Sequence, residues 1–343
     1  MSNANKGLGA LLFTLVDIIR SIFRQKPATP PQPVIPPNNT TEPARMVSAR
    51  VLLIVYDPVM NPSSGERLSQ IMHWKKVDDL VAGFLADING ASKGLARFQI
   101  VERVELLEFS SLMDGFRYTP DTYMDVMRGG RPHEPRDVDY LAILTGFNIL
   151  ERIANREIDE VWVFGFPYAG FYESIMGGAG AFWCNAPPLP KTSSCNRKFF
   201  IMGFSFERGV GEMLESFGHR VESIMEKTFS KVEGDANLYQ RFTRYDQKFP
   251  GQAEVGTIHF APNGEKDYDW NNQRTVPSCC DDWFNFPTFQ GTIKDVTATE
   301  WGNGEMRLHH RWWLNHLPKV AGRTSGVANN WWQYVMDPNL VIL

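Results

Sequence analysis

Apolar residues follow two different periods along the first two thirds of the chain. The segment VLLIVYDP (51–58) is a continuous apolar run that ends at Asp-Pro, which is typical of a strand buried on both faces. In VDDLVAGFLADING (77–90) the apolar residues recur at helical spacing and the pattern ends at Asn-Gly. Further strands are predicted at 98–109, 159–167 and 198–206, and further helices at 139–158 and from residue 211 onward.

This order of strands and helices predicts an α/β fold, in which a three-layer, mainly parallel sheet carries helices on both faces. The α/β domain is expected to span residues 47–255. Residues 256–343 are expected to form an irregular region, rich in Trp, His and Asn, that packs on this domain. Six of the ten tryptophans follow residue 280, which is why the last third is treated separately.

Polar residues follow the predicted strands at the points where the strands end. Because functional sites of open parallel sheets form beyond the carboxyl ends of the strands, we expect these loops to gather along one edge. The loop 168–185 is rich in glycine and aromatic residues, a composition that favours either a pocket wall or a packed cover over the sheet edge. The residues predicted at this edge are Asp57, Tyr168, Tyr172, Glu173, Trp183, Glu207, Arg208 and Glu212.

The segment GEMLESFGHRVESIM (211–225) has an apolar side and a polar side at helical spacing. The simplest interpretation is that the acids and His219 on the polar side face water. A second interpretation makes His219 and Glu222 metal ligands, because residues at i and i+3 meet on a helix and a carboxylate can orient an imidazole. Gly211 and Gly218 lie close together on the flank of this helix and predict a close approach by another segment.

The sequence of the last third is consistent with two placements of its large aromatic side chains, on a binding surface or in a core. GTIHFAPNGEKDYDWNNQ (256–273) starts as a short predicted strand and continues as a polar loop. Trp283, Trp313 and Trp332 lie beside Asn, Asp or Arg, which suits the stacking of sugar rings, and the alternative is a secondary core that seals the sheet. His310 is a further catalytic candidate. His309 and His310 are adjacent and are expected to point to different sides.

Two metals fit the candidate ligands. Zinc fits the His/Glu set of the helix, because it is bound by imidazole and carboxylate groups. Calcium fits oxygen ligands, which the loop acids Asp267, Asp269, Asp281 and Asp282 offer, although their spacing does not match an EF-hand. Turn formation explains the first two of these acids equally well.

The amino terminus predicts an exported or surface-tethered protein. Residues 1–25 form a hydrophobic segment, signal-like or amphipathic, and 8–23 is a possible membrane tether that is too short to span a bilayer. Residues 26–46 form a Pro-rich linker. Cys184 and Cys195 bracket a short loop and are expected to form a disulfide, in keeping with an extracellular or cell-surface location. A cytosolic protein with a disordered tail and reduced cysteines is the alternative.

Composition excludes one class of partner and leaves the activity open. A net charge of −4, without a basic stripe among aromatic residues, does not indicate a nucleic-acid binder. The residues favour a hydrolase that acts on a carbohydrate or peptide, with a glycosidic, ester or peptide bond as the target. The alternative is an extracellular module that binds glycans without catalysis. The catalytic candidates are Asp57, Glu173, Glu207, Arg208, Glu212, His219 and His310; the candidates for substrate binding are Tyr168, Tyr172, Trp183, Trp283, Trp313 and Trp332.

Overall fold

A computed structural model describes residues 42–342. The predicted hydrophobic segment 1–25, its tether 8–23 and most of the linker 26–46 lie outside these residues. Within the described range, none of the helices combines the length and the apolar character needed to cross a membrane.

Eleven strands are found in the described residues, and five of them form the central sheet in the order β4-β1-β5-β7-β6. The remaining strands form three two-stranded sheets. The strands are β1 (Val47–Tyr56), β2 (Val59–Asn61), β3 (Glu66–Arg67), β4 (Ala96–Leu106), β5 (Glu160–Gly165), β6 (Ser174–Gly177), β7 (Phe199–Ser205), β8 (Val276–Ser278), β9 (Lys294–Val296), β10 (Lys319–Thr324) and β11 (Val327–Asn330).

Helices flank this sheet and continue into the last third of the chain. Short 3₁₀ turns lie at Gly234–Ala236, Cys280–Asn285, Ala298–Trp301 and Pro338–Leu340. The α-helices are α1 (Leu68–Ile71), α2 (Val77–Ala91), α3 (Pro120–Met127), α4 (Tyr140–Gly146), α5 (Ile149–Ala154), α6 (Val210–Thr228), α7 (Leu238–Phe242), α8 (Met306–His316) and α9 (Trp332–Met336).

The four predicted strands pair in parallel, which confirms an α/β fold. β1 pairs with β4 on one side and with β5 on the other, and β5 pairs with β7. The predicted loop 168–185 contains a fifth strand, β6, which runs antiparallel to β7 at the edge. The sheet is therefore mixed, and the carboxyl ends of its four parallel strands meet at one edge.

Alternate side chains of β1 enter two separate hydrophobic clusters, because successive residues of a strand point to opposite faces. Val51, Leu53 and Val55 pack with α2, α6 and the last third of the chain. Leu52 and Ile54 pack with α3, α4 and α5. Helices therefore cover each face of β1, and this double coverage explains its continuous apolar run.

The helix predicted at 139–158 is interrupted. Asn148 has a left-handed backbone (φ 48°), which ends α4 and starts α5 as a separate short helix. Asn is among the few residues that adopt this conformation easily, since its short polar side chain bonds locally. Its amide Nδ2 donates to Glu151, 2.6 Å away. The apolar period continues across the break, so periodicity alone does not reveal it.

The disulfide predicted between Cys184 and Cys195 is wrong. Both thiols are buried and unbonded to another sulfur. Cys184 Sγ lies 3.1 Å from Ser174 Oγ, and Cys195 Sγ donates to the carbonyl of Arg197 at 3.3 Å. The Pro-rich loop is instead held by main-chain bonds, such as that from Ala179 N to the carbonyl of Cys195. The cysteines therefore provide no support for an oxidising compartment.

Candidate functional site

A cavity of about 370 Å³ opens at the carboxyl edge of the sheet. Its walls are the loop after β5, the loop after β7 and the first turns of α6. This edge therefore brings together loops that are far apart in the sequence, as parallel strands require. The predicted residues that line the cavity are Tyr168, Glu173, Glu207, Arg208 and Glu212.

Three other residues predicted at this edge lie outside the cavity. Asp57 is buried in a neighbouring cleft, and its carboxylate accepts hydrogen bonds from Ser69 N (2.9 Å) and Ser69 Oγ (2.7 Å). Tyr172 donates to Asp137 and stacks on Tyr140, with 6.2 Å between ring centroids. Trp183 is 60% exposed on the loop before Cys184. Asp57 therefore holds the start of α1 and is not placed with the other acids.

Helix α6 is covered on its polar side as well as on its apolar side. The expectation that the acids of this side face water is wrong for Glu215, which is only 6% exposed. The segment 256–260 lies over this face, and a Cβ added to Gly218 would overlap the side chain of Ile258. A Cβ added to Gly211 would lie 3.1 Å from Met306 Sδ, which is a tight contact. The close approach predicted from the two glycines is confirmed.

Substitution of Gly218 by alanine is expected to lower the free energy of unfolding by about 1–3 kcal/mol, as overpacking does in other cores. The added methyl group would lie 2.4 Å from a side-chain carbon of Ile258, which is fully buried, so Ile258 would have to move. Gly90 of α2 is the matched control, because nothing lies within 4 Å of its added Cβ. There the same substitution should raise stability by up to about 1 kcal/mol through helix propensity. Urea unfolding of both variants checks this, and equal shifts would contradict it.

Glu222 orients His219 and joins α6 to the segment above it. Its Oε2 lies 3.1 Å from His219 Nδ1, and its Oε1 accepts the main-chain N–H of Ile258 at 3.0 Å. With the proton of a neutral ring on Nδ1, the lone pair of His219 Nε2 is free. Nε2 lies 3.7 Å from Glu173 Oε2. Glu222, predicted as a ligand, is thus placed behind His219, in the position of a supporting carboxylate.

His259 faces His219 from the segment that covers α6. The two rings are 4.7 Å apart and nearly perpendicular. His259 Nε2 lies 3.0 Å from Glu215 Oε1, and its Nδ1 lies 3.6 Å from Asp267 Oδ1. One ligand atom each from Glu215, His219 and His259 lies within 4.8 Å of the others, an arrangement that could hold a metal ion. We call these three residues the strand-end triad.

A tight turn positions His259. This turn replaces the short strand predicted at the start of 256–273: Thr257 N donates to the carbonyl of Phe260, and Gly256 has a positive φ of 86°. A Cβ at Gly256 would overlap the carbonyl of Phe260, so the turn requires glycine here. Trp313 Nε1 donates to the carbonyl of Gly256 at 2.9 Å. A buried tryptophan therefore anchors the turn that carries His259.

Glu173 connects the strand-end triad to the cavity. Its main-chain carbonyl accepts Gly203 N of β7, and its Oε2 accepts Asn185 Nδ2 at 3.0 Å. Its Oε1 lies 4.0 Å from the guanidinium of Arg208, which also lines the cavity. Glu173 is thus fixed at its main chain and its side chain, and a ligand in the cavity would meet it together with Arg208.

The electrostatic field in this region is negative. Burial lowers the pKa of His219, but the hydrogen bond to Glu222 and the charges of Glu222, Glu173 and Glu215 outweigh it, so the pKa is raised above the usual value. The pKa of Tyr268 is also raised, by burial and then by Glu215 and neighbouring acids. Carboxylates outnumber the nearby guanidinium of Arg208. Such a site favours cations, either a protonated imidazole or a metal ion.

His310 lies in the interior. Its ring and that of His309 are both fully buried, and their Nδ1 atoms are only 3.2 Å apart, although the adjacent residues were expected to point to different sides. Trp270 lies against both rings. Burial lowers the pKa of His309 to about 3, so the pair is neutral at neutral pH. His310 is not placed in the cavity or in the strand-end triad.

The tryptophans predicted to bind sugars lie in the core. Trp313 and Trp332 are fully buried, and Trp283 is 2% exposed. Trp332 stacks on Phe217 of α6, with 6.2 Å between ring centroids, and Trp283 packs edge-on against Phe242. These three side chains are therefore part of the hydrophobic core, in the same cluster as Val51, Leu53 and Val55 of β1.

The loop acids do not converge on one calcium site. Asp267 pairs with His259, and Asp281 pairs with Lys294 at 2.7 Å. Asp269 accepts the main-chain N–H of Glu265, and Asp282 accepts those of Gln290 and Gly291. The contact of Asp267 and those of Asp282 are in different loops, so the four acids do not share one set of ligands. Turn formation explains Asp269 and Asp282, because Asn and Asp side chains commonly accept main-chain N–H groups in turns.

Cysteine nucleophiles are disfavoured. Burial raises the pKa of Cys184 to about 11 and that of Cys280 to about 12. Burial likewise raises the pKa of Cys279 to about 12. Since the thiolate is the reactive form, these side chains are not activated at neutral pH. The chemistry of the strand-end site must come from its imidazole, carboxylate and guanidinium groups.

Sequence reasoning missed His259 as a site residue, and it did not pair Glu215 with it. The two residues are separated by 43 intervening positions, and no spacing rule connects a helix to a loop so far along the chain. A weak signal in the sequence was the pair Gly211 and Gly218, which indicated that another segment packs closely against α6. Neither a protein-family model, a curated protein nor a solved structure matches the chain.

Proposed function

We propose that the chain is a metal-dependent hydrolase whose site is the strand-end triad and the adjoining cavity. The observation that carries this proposal is the convergence of Glu215, His219 and His259 within 4.8 Å, next to a cavity that Glu173 also lines. Two imidazoles and one carboxylate match the ligand set of catalytic zinc sites that keep a fourth position for water. A zinc ion bound there would lower the pKa of that water to about 7.

Glu173 is the proposed general base. It lies on the cavity side of His219, 3.7 Å from Nε2, so a water near the metal would be within its reach. Asn185 holds one of its oxygens and Arg208 lies beside the other. Because the pKa of His219 is raised, protons compete more strongly with a metal ion for this ring than at an ordinary histidine. Glu222 would then hold the neutral ring in the tautomer that presents Nε2.

Arg208 is the proposed electrophilic group of the substrate site. Its guanidinium is over half exposed in the cavity and is free to approach an oxygen that becomes negative during bond cleavage. Tyr168 offers an exposed ring at the same opening, and Glu207 and Glu212 add polar walls. A polar carbohydrate or peptide substrate suits this lining, and an ester, peptide or glycosidic bond is the target.

An exported or cell-surface location is part of the proposal. It rests on the hydrophobic segment 1–25 and the Pro-rich linker 26–46 of the sequence. The three-layer arrangement with a Trp-rich cover is the proposed scaffold, since it would hold His259 over α6. Of the six aromatic residues predicted to bind substrate, Tyr168 and Trp183 are exposed. A site with ordered His and Glu ligands favours catalysis over a purely glycan-binding module.

Metal analysis and turnover together test this function. The full chain, loaded with zinc, is screened against chromogenic esters, peptides and glycosides. Glu173→Gln should lower kcat/KM roughly 10²–10⁴-fold, because a general base contributes about that much, while zinc content is retained. His259→Ala should remove both zinc from this site and turnover.

Glu157→Gln and His133→Ala are the matched controls. Glu157 is an exposed acid just before β5, at the opposite edge of the sheet, and His133 pairs with Asp114 at 2.7 Å. Both variants should keep full turnover and zinc content. Full turnover in Glu173→Gln would refute the base assignment, and unchanged zinc stoichiometry in His259→Ala would refute the metal site.

A further inference from the structure

A second group of metal-ligating atoms lies in the last third of the chain. Cys280 Sγ, Asp281 Oδ1 and His316 Nε2 lie within 4.8 Å of one another. Cys280 and Asp281 start the 3₁₀ turn Cys280–Asn285, and His316 is the last residue of α8. The distance from Sγ to Oδ1 is 3.9 Å, and that from Nε2 to Oδ1 is 3.8 Å.

His316 is oriented as metal-bound histidines are. Its ring is almost fully buried, and its Nδ1 lies 2.7 Å from the main-chain carbonyl of Trp312, so Nδ1–H donates there. This bond leaves a lone pair on Nε2. Within the described residues, the buried Nε2 makes no hydrogen bond of ordinary length, and Asp281 Oδ1 faces it at 3.8 Å. Ligating histidines typically donate their other ring N–H to a carbonyl in this way, and an unpaired buried acceptor requires an explanation.

Asp281 divides its two oxygens between two functions. Oδ2 pairs with Lys294 Nζ at 2.7 Å, and Lys294 also pairs with Glu300 at 2.6 Å. Oδ1 is the atom that faces Cys280 and His316. The ammonium therefore sits on the far oxygen, where it supports the carboxylate without occupying the space between the three ligand atoms. Asp281 is 39% exposed, which provides a path for an ion from solvent.

We propose that Cys280, Asp281 and His316 bind a divalent transition metal ion, with zinc as the best match. The site is separate from the proposed hydrolase site and does not depend on it. Sulfur and nitrogen donors select zinc over calcium or magnesium, which prefer oxygen. Bond lengths of about 2.0–2.3 Å place tetrahedral zinc ligands roughly 3.3–3.7 Å apart, close to the 3.9 and 3.8 Å that separate Asp281 Oδ1 from the other two atoms. The remaining distance, from Cys280 Sγ to His316 Nε2, lies within 4.8 Å, so these two side chains would draw together on binding.

Binding replaces the S–H bond of Cys280 by a metal–sulfur bond, and the proton leaves to solvent. No oxidation or reduction is involved. A water molecule completes the fourth position, on the side where Asp281 is exposed. The ion would join the 3₁₀ turn to the end of α8 and thereby stabilise this part of the fold.

Cobalt substitution tests this site separately from the hydrolase site. The full chain is purified without metal, loaded with Co²⁺ and examined by absorption spectroscopy. A thiolate bound to Co²⁺ gives a charge-transfer band that nitrogen and oxygen ligands do not give, and the strand-end triad has no sulfur. The wild-type chain should show the band, and His259→Ala should keep it even if the hydrolase proposal fails.

Cys280→Ser and His316→Ala should lose the band and one equivalent of bound metal, whereas Cys184→Ser, another buried thiol, should keep both. Asp281→Asn is included because substitutions at the buried Cys280 and His316 can prevent folding, whereas Asp281 is partly exposed. This variant should weaken Co²⁺ affinity at least tenfold in chelator competition. Absence of the band in folded wild-type protein saturated with Co²⁺ would overturn the proposal. Metal content unchanged in Cys280→Ser and in Asp281→Asn would also overturn it.

Discussion

Replacement of Arg220 by alanine is expected to lower the free energy of unfolding by about 3–5 kcal/mol, because it leaves a buried carboxylate without its cation. Arg220 is 0% exposed and pairs with Glu160 through two nitrogens, at 3.0 and 2.9 Å. It also donates to the carbonyl of Val335 and lies 3.6 Å from the ring centre of Phe200. Urea denaturation monitored by circular dichroism measures the loss.

A double replacement separates the charge effect from the packing effect. Arg220→Met combined with Glu160→Leu removes both charges and keeps apolar volume, so it should recover most of the lost stability. Trp162 Nε1, which donates to Glu160, would lose its partner and account for part of the remainder. A double variant as unstable as Arg220→Ala would show that the hydrogen bonds to Val335, rather than the unpaired charge, dominate.

Replacement of Trp332 by alanine is expected to lower the free energy of unfolding by about 3–5 kcal/mol, as for other large buried side chains. The ring is fully buried against Phe217, so its removal leaves a cavity between α9 and α6. Thermal and urea unfolding provide the measurement. The same variant should show no selective loss of glycan binding, since the ring contacts no solvent.

Trp183 is the matched control for Trp332. At 60% exposure its replacement by alanine should change stability by no more than about 0.5 kcal/mol, as at other surface positions. If the two variants were equally stable, the placement of Trp332 in the core would be wrong. If Trp183→Ala alone weakened glycan binding, the recognition alternative would gain direct support.

The buried tryptophans also affect the candidate site. Trp313 holds the carbonyl of Gly256 and thereby the turn that presents His259. Trp270 Nε1 donates to the carbonyl of Ile258 at 3.3 Å, on the same turn. Buried tryptophans of the last third therefore position His259, the proposed metal ligand that α6 itself does not carry.

The sequence by itself determined the elements whose periodicity reflects burial within one segment. β1, β5 and β7 were predicted from continuous apolar runs, and α6 from its apolar stripe. Arg220 was overlooked, yet its position on the apolar side of α6, three residues after Phe217, is a signal of a buried partner. The gathering of Tyr168, Glu173 and Arg208 followed from parallel topology alone.

Only the tertiary structure decided which faces meet. Periodicity shows that a side chain is polar, but not whether another segment covers it, so Glu215 was expected in water and is buried against His259. A loop spacing permits a disulfide without orienting the two thiols, so Cys184 and Cys195 were joined wrongly. Contacts between distant segments depend on how whole elements pack. The free energy of folding comes from many contacts across the core that support one another, so no single spacing in the sequence determines which segments meet.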